Sequence, residues 1–210
     1  VNSPQLILAS ASPARTALLR QAGVGHRIQA SSVDEDAVTA AAGQVTPAQT
    51  ALLLARAKAE DVAARPESAG SLVIGCDSVF EFDGLPYGKP HEAEVARERI
   101  GQMSGRSGVL HTGHWLIDCR TDAASPGMGA LASATVYFGD MSAAEIDAYV
   151  ATGEPLEVAG SFTLDSLGSA FIERVDGDPH AVVGLSISTL RALLRETGVS
   201  ITELWDTYKE

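Results

Sequence analysis

The sequence predicts an α/β fold of mixed α+β character, a twisted mixed sheet flanked by helices. Three observations point there. Apolar runs of strand length recur along the chain between helical periods. Helix-opening caps and hairpin turns both occur, so both crossover and hairpin connections are expected. No internal repeat or low-complexity linker interrupts them, and 210 residues with 45% apolar content suffice for one core. A single domain over residues 1–210 is therefore expected.

The elements follow in order. Leu6-Ile7-Leu8-Ala9 reads as a buried strand, broken by Ser10-Ala11-Ser12-Pro13-Ala14-Arg15. Ser12 is a good N-cap, and Pro13 suits the first helical position. Arg15 falls in the first turn, where the helix dipole disfavours a cation by about 0.3–1 kcal/mol. Two hydroxyls, helix-end amides and an arginine form a receptor for a multiply charged anion, most simply a polyphosphate. A capped helix with Arg15 in water accounts for the same residues. Gly23 ends this helix. A strand near 26–32 and a solvated acidic turn, Asp34-Glu35-Asp36, come next.

Thr46-Pro47-Ala48-Gln49 is a capping box with proline inside it, opening a helix to about 64. Residues 71–82 mix strand and turn signals, and Asp83-Gly84 is a hairpin turn. Further on come a helix at 91–103, a strand near 109–118 and a second long strand at Leu131–Phe138. The capping box Ser142-Ala143-Ala144-Glu145 opens a helix closed by Gly153. Ala170-Phe171-Ile172 reads as a strand, and the last helix spans about 186–196.

Composition narrows the function. A net charge of −12 argues against nucleic-acid and anionic-membrane surfaces, which need a basic footprint. No run reaches the roughly 18 apolar residues of a membrane span, and no secretory leader pattern opens the sequence, so the cytoplasm is the expected location. Cys76 and Cys119 sit in apolar stretches and read as reduced core residues. An anion site in so acidic a chain must concentrate its few cations locally, or enlist a divalent metal.

Val73-Ile74-Gly75-Cys76-Asp77-Ser78 is an apolar strand delivering a carboxylate and a hydroxyl at its end, where α/β enzymes place ligands. A two-residue turn at Asp83-Gly84 pairs Ser78 with Lys89 and brings Lys89 within reach of Asp77. A surface ion pair is the plain alternative. Lys58 shares the apolar stripe of its helix with Leu54, Ala55, Ala59 and Val62; it either snorkels to solvent or faces an anion. With Glu35 folded near Asp77, the two would offer hard oxygen ligands to Mg²⁺. The histidines lack zinc-ligand spacing, and His111 and His114 point to opposite strand faces. Nucleophile-elbow, Walker and Rossmann fingerprints are missing from the sequence.

Taken together, these segments resemble the Maf family of nucleotide pyrophosphatases over nearly the whole chain. Ser10-Ala11-Ser12-Pro13-Ala14-Arg15 is similar to the signature Ser-x-Ser-Pro-Arg-Arg. Val33-Asp34-Glu35, Leu54–Ala59, Gly75-Cys76-Asp77-Ser78-Val79, Gly88-Lys89-Pro90, Met103–Arg106, Thr112-Gly113, Tyr149 with Thr152–Pro155, Ala159-Gly160 and Val183-Gly184-Leu185 continue the series. The resemblance implies an ITPase-like fold with a cleft between two lobes. It also implies metal-dependent hydrolysis (Mg or Mn) of a nucleoside triphosphate between its α and β phosphates. Asp77 matches the proton acceptor, Glu35 the acidic site residue, Lys58 and Lys89 the phosphate-facing lysines, and Arg15 the second signature arginine. Ser10 and Ser12 would line the same groove. Asp77 is left as general base, metal ligand or both, and a homodimer is a family-level expectation.

Three departures fall where the family tunes base choice: Ala14 for arginine, Ser78 for threonine and Asp165 for glutamine. An ionised Asp165 only accepts hydrogen bonds, which suits a base edge rich in N–H donors such as guanine. Val158 and Ala181 replace a lysine and an asparagine common in the family. Those losses admit a nucleotide-binding cell-division regulator with little turnover as an alternative; a phosphatase or diphosphatase that uses the same anion receptor on another bond is a second enzyme reading.

Overall fold

The computed structural model describes residues 4–121 and 125–206. The fold is α/β. Its strands are β1 (Gln5–Leu8), β2 (Arg27–Ile28), β3 (Ser71–Phe82), β4 (Leu85–Tyr87), β5 (Ser107–Asp118), β6 (Met128–Phe138) and β7 (Ile172–Gly177). They form one open mixed sheet in the order β2-β1-β3-β5-β6-β7, with β4 paired to β3. β1 runs parallel to both β2 and β3, whereas β3–β4 and β6–β7 are antiparallel. The helices are α1 (Pro13–Gln21), α2 (Glu35–Ala42), α3 (Pro47–Ala63), α4 (Ala93–Met103), α5 (Ala143–Ala151), α6 (Pro179–Val183) and α7 (Ile187–Glu196). Among the described residues no helix is long and apolar enough to cross a membrane.

The caps set these helix boundaries as expected. Ser12 caps α1 with Pro13 first in line, and Thr46 with Gln49, like Ser142 with Glu145, forms a reciprocal capping box. Several expectations need correction. The acidic segment is not a loop: Asp34 caps α2, accepting the amide of Ala37, and Glu35 and Asp36 lie in its first turn, where the dipole favours anions. The strand near 26–32 shrinks to Arg27–Ile28. Residues 71–82 form one continuous strand, so Asp77 lies inside it rather than at its end. Pairing with β1 nonetheless stops at Leu8–Ile74, three residues earlier. Ala170 and Phe171 close a 3₁₀ turn, Leu167–Phe171, and the strand begins only at Ile172.

The chain divides into two compact units. The first comprises Val1–Asp77, Thr112–Ala132 and Gly184–Glu210. Within it, Ile7 and Ala9 pack with Val73, Ala59, Val62, Ile117 and Cys119. The second comprises Ser78–His111 and Ser133–Val183. Its core is aromatic: Phe162 meets Phe80 at 5.1 Å and Phe138 at 5.0 Å between ring centroids, both edge to face.

Candidate active site

The first unit holds a buried polar cluster around Ser10, Arg15, Lys58 and Asp77. After β1 the chain turns through Ser10 and Ser12. The Ser12 amide donates to Ser10 Oγ (3.2 Å), and the Arg15 amide donates to Ser12 Oγ (3.4 Å). Arg15 does not point into water. Its side chain is buried, with Nε donating to the Gly184 carbonyl (2.8 Å) and Nη1 to Ser10 Oγ (3.0 Å). The dipole cost of a cation in the first turn is offset by these two charge-assisted bonds. Ala14, between Pro13 and Arg15, is half-buried.

Lys58 reaches the site because α3 lies very close to β3. A Cβ on Gly75 would come within 2.1 Å of the Ala55 carbonyl oxygen and 2.8 Å of the Ala59 amide nitrogen. On β5, a Cβ on Gly113 would meet the Ala51 carbonyl at 2.3 Å. Only glycine admits the helix at this distance. Asp77 stands two residues beyond Gly75 and so projects from the same strand face. Lys58 Nζ meets Asp77 Oδ1 at 2.6 Å and Glu35 Oε1 at 2.7 Å. The lysine of the apolar stripe therefore turns inward to two carboxylates instead of snorkelling. Asp77 and Lys58 side chains are each 10% exposed, whereas Glu35 is 52% exposed.

Burial is the main influence on Asp77 and raises its carboxyl above the ordinary range. Lys58 and Arg15 pull it back down, and the nearby Glu35 charge adds an upward push. The neighbouring Cys76 thiol is pushed to about 12 by burial, which leaves it inert at neutral pH. Arg15 and Lys58 thus bring two cations into one cluster with the carboxylates of Asp77 and Glu35. Two carboxylate oxygens converging on one ammonium also suit a hard divalent cation. No group of three or more His, Cys, Asp and Glu converges among the described residues. Two carboxylates are the donor set that Mg²⁺ takes when phosphates supply the remaining oxygens.

Ser10, Ser12, Arg15, Glu35, Lys58 and Asp77 therefore belong to one unit. Ser78, Lys89 and Asp165 belong to the other. Ser78 is half-buried on the strand face opposite Asp77. The hairpin register expected from Asp83-Gly84 is kept, with Phe82 opposite Leu85 and Phe80 opposite Tyr87. Pairing ends there, so Ser78 and Lys89 are not ladder partners; Lys89 is exposed beyond β4, as is Asp165 on its loop.

Over residues 5–197 the chain matches the family model described as Maf-like protein. It is 54% identical to a nucleoside triphosphate pyrophosphatase of Leifsonia xyli subsp. xyli, covering 96% of this chain and 97% of that one. It is 53% identical to a protein of the same name from Streptomyces coelicolor (96% and 94% covered), and 49% to one from Nocardia farcinica (95% and 96%). The chain belongs to the Maf family.

The Maf signature Ser10–Arg15 is thus the strand-to-helix turn, and the Maf segment Val183-Gly184-Leu185 supplies the carbonyl that holds Arg15. Sequence reasoning missed that carbonyl and the close-approach role of Gly75 and Gly113. It also missed the role of His114, a fully buried residue whose Nε2 accepts the Ser186 amide at 2.8 Å. Ser186 in turn caps α7 and stands two residues from Gly184. The signals were present as a glycine on each of two strands and a buried histidine, but nothing local names their partners. As expected, His111 points away from His114, bonding Ser133 and Glu81.

Proposed function

We propose that this Maf chain is a nucleoside triphosphate pyrophosphatase acting on the cytoplasmic nucleotide pool. It cleaves the α–β anhydride of non-canonical or modified nucleotides, giving a monophosphate and pyrophosphate. One observation carries the reading. The buried Asp77 carboxylate, with its raised pKa, is held by Lys58 and lies near enough to Arg15 for the guanidinium to pull on it.

Asp77 accepts the proton of a water that attacks the α-phosphorus. The bond to the bridging oxygen breaks, and that oxygen departs with pyrophosphate. Its raised pKa makes Asp77 a stronger base than an ordinary carboxylate. Arg15 and the amides and hydroxyls of Ser10 and Ser12 grip the charged phosphates, and Lys58 turns from the carboxylates to the same anion. Glu35 and Asp77 would hold a divalent cation, Mg²⁺ or Mn²⁺, which neutralises phosphate charge when bound. Lys89 contributes a further cation, and Ala14, Ser78 and Asp165 set the base preference.

The test is pyrophosphate release from a panel of canonical and modified triphosphates with Mg²⁺ or Mn²⁺, parent beside Asp77→Asn. Loss of a general base costs about 10²–10⁴-fold. An equally active Asp77→Asn would overturn the role given to Asp77, and free phosphate as the sole product would overturn the assigned bond. A clear preference for UTP or dTTP would count against guanine recognition by Asp165.

A further inference from the structure

Glu154 is a carboxylate that the proposed chemistry leaves unused. It opens the 3₁₀ turn Glu154–Glu157, just after Gly153 at φ 77°. Its Oε1 accepts from the Tyr149 hydroxyl (3.0 Å), from the Thr163 hydroxyl in a short bond, and from the Gly168 amide (2.9 Å). Its Oε2 accepts the Leu167 amide at 3.2 Å, and the Ser166 hydroxyl bonds the same carboxylate. Burial alone would raise its pKa; the hydroxyls of Thr163 and Ser166, the Gly168 amide and the Tyr149 hydroxyl together hold it at about 2. Glu154 is therefore an ionised acceptor throughout the working pH range.

The position of these donors matters more than their number. Residues 163, 166, 167 and 168 bracket Asp165 on both sides. Leu164 packs against the aromatic core, and Asp165 faces outward from an exposed site. The loop has little slack: a Cβ on Gly168 would come within 2.5 Å of Tyr149 Oη and 2.7 Å of the Thr163 backbone. A segment of small polar residues, which would otherwise sample many conformations, is tied at four points to one anion.

We propose that Glu154 is a positioning residue for base selection: it fixes the loop 163–168 and so sets where Asp165 presents its carboxylate to the nucleobase. This rests on the reading of Asp165 as a base-facing group. Discrimination by a polar contact depends on placement, because a misplaced group leaves its partner unpaired.

The experiment measures kcat/KM for a preferred and a disfavoured triphosphate in Glu154→Ala, Glu154→Gln, Asp165→Ala and the double variants with Asp165→Ala. Amide exchange at Leu167 and Gly168 is followed in the same proteins. Glu154→Ala should narrow the selectivity ratio by about tenfold and speed exchange at both amides, with partial rescue in Glu154→Gln, which keeps one acceptor. In the Asp165→Ala background, removing Glu154 should no longer alter the ratio. Should Glu154→Ala fold poorly, Ser166→Ala and Thr163→Val remove single donors and should each narrow the ratio less. The proposal is overturned if the Glu154 variants lower kcat/KM equally for both nucleotides while Asp165→Ala changes the ratio. An unchanged ratio in Asp165→Ala would instead remove the base-facing reading and this inference with it.

Discussion

Replacing Lys58 by methionine keeps the length and the apolar stem of the side chain and removes only the ammonium. The two ion pairs that it breaks are of unequal worth. Glu35 is 52% exposed, so its bridge to Lys58 contributes well under about 1 kcal/mol. Asp77 is 10% exposed, and stripping the partner from a buried carboxylate costs about 3–5 kcal/mol. Arg15 still pulls on Asp77, so the lower end, about 3 kcal/mol, is expected for Lys58→Met. The sign with pH follows. A carboxyl whose pKa is raised in the fold binds protons more readily there than in the unfolded chain. Removing Lys58 raises it further, so the deficit should shrink as pH falls and grow as pH rises. Urea denaturation of Lys58→Met, Glu35→Gln, Asp77→Asn and the Lys58→Met/Asp77→Asn pair measures this directly. The double variant should recover much of the loss, and Mn²⁺ should restore more stability to Lys58→Met than to the parent, since the ion would supply the missing charge. The reasoning is refuted if Lys58→Met costs no more than Glu35→Gln.

Three further outcomes are expected. Glu154 has its pKa lowered from 4.5 to about 2, so its stabilisation is present above about 4.5 and fades as pH falls towards 2. At 1.36 kcal/mol per unit this is about 3 kcal/mol at pH 7 as an upper bound, and the gap between parent and Glu154→Gln in urea should narrow by about 2 kcal/mol at pH 3. Gly75→Ala would drive a methyl into the Ala55 carbonyl, costing about 1–3 kcal/mol in thermal denaturation and pulling Lys58 away from Asp77. Arg15→Lys keeps the charge but cannot reproduce the fork between Gly184 and Ser10. It should lose about 2 kcal/mol of stability by denaturation, with a raised KM for triphosphate in steady-state assays.

Much of this was legible along the chain because its causes are local. Ser12 and Pro13, Thr46 and Gln49, and Ser142 and Glu145 each satisfy helix-end amides within four residues, so the helix starts could be read directly. The Asp83-Gly84 register could be read because a two-residue turn dictates pairing. Lys58 stood out as a charge on an apolar stripe, and Asp77 as one at the edge of an apolar run. What escaped depends on distant partners. Whether Arg15 points inward is decided by a carbonyl 169 positions away. The extent of β3 past Asp77 is set by its place in the sheet beside β5 as much as by its own turn-prone residues. The hub at Glu154 gathers donors from four loop residues whose spacing matches no periodic pattern.

The seat of α3 has a consequence for anyone altering this molecule. Ala51, Ala55 and Ala59 line the helix where Gly75 and Gly113 come against it, and all three alanines are fully enclosed. Neither side can gain even one carbon unless the other gives way, so single substitutions there are costly and disturb the anchorage of Lys58 along with them. Room for change lies instead at loop positions such as Asp165, which stand exposed and can be altered one at a time.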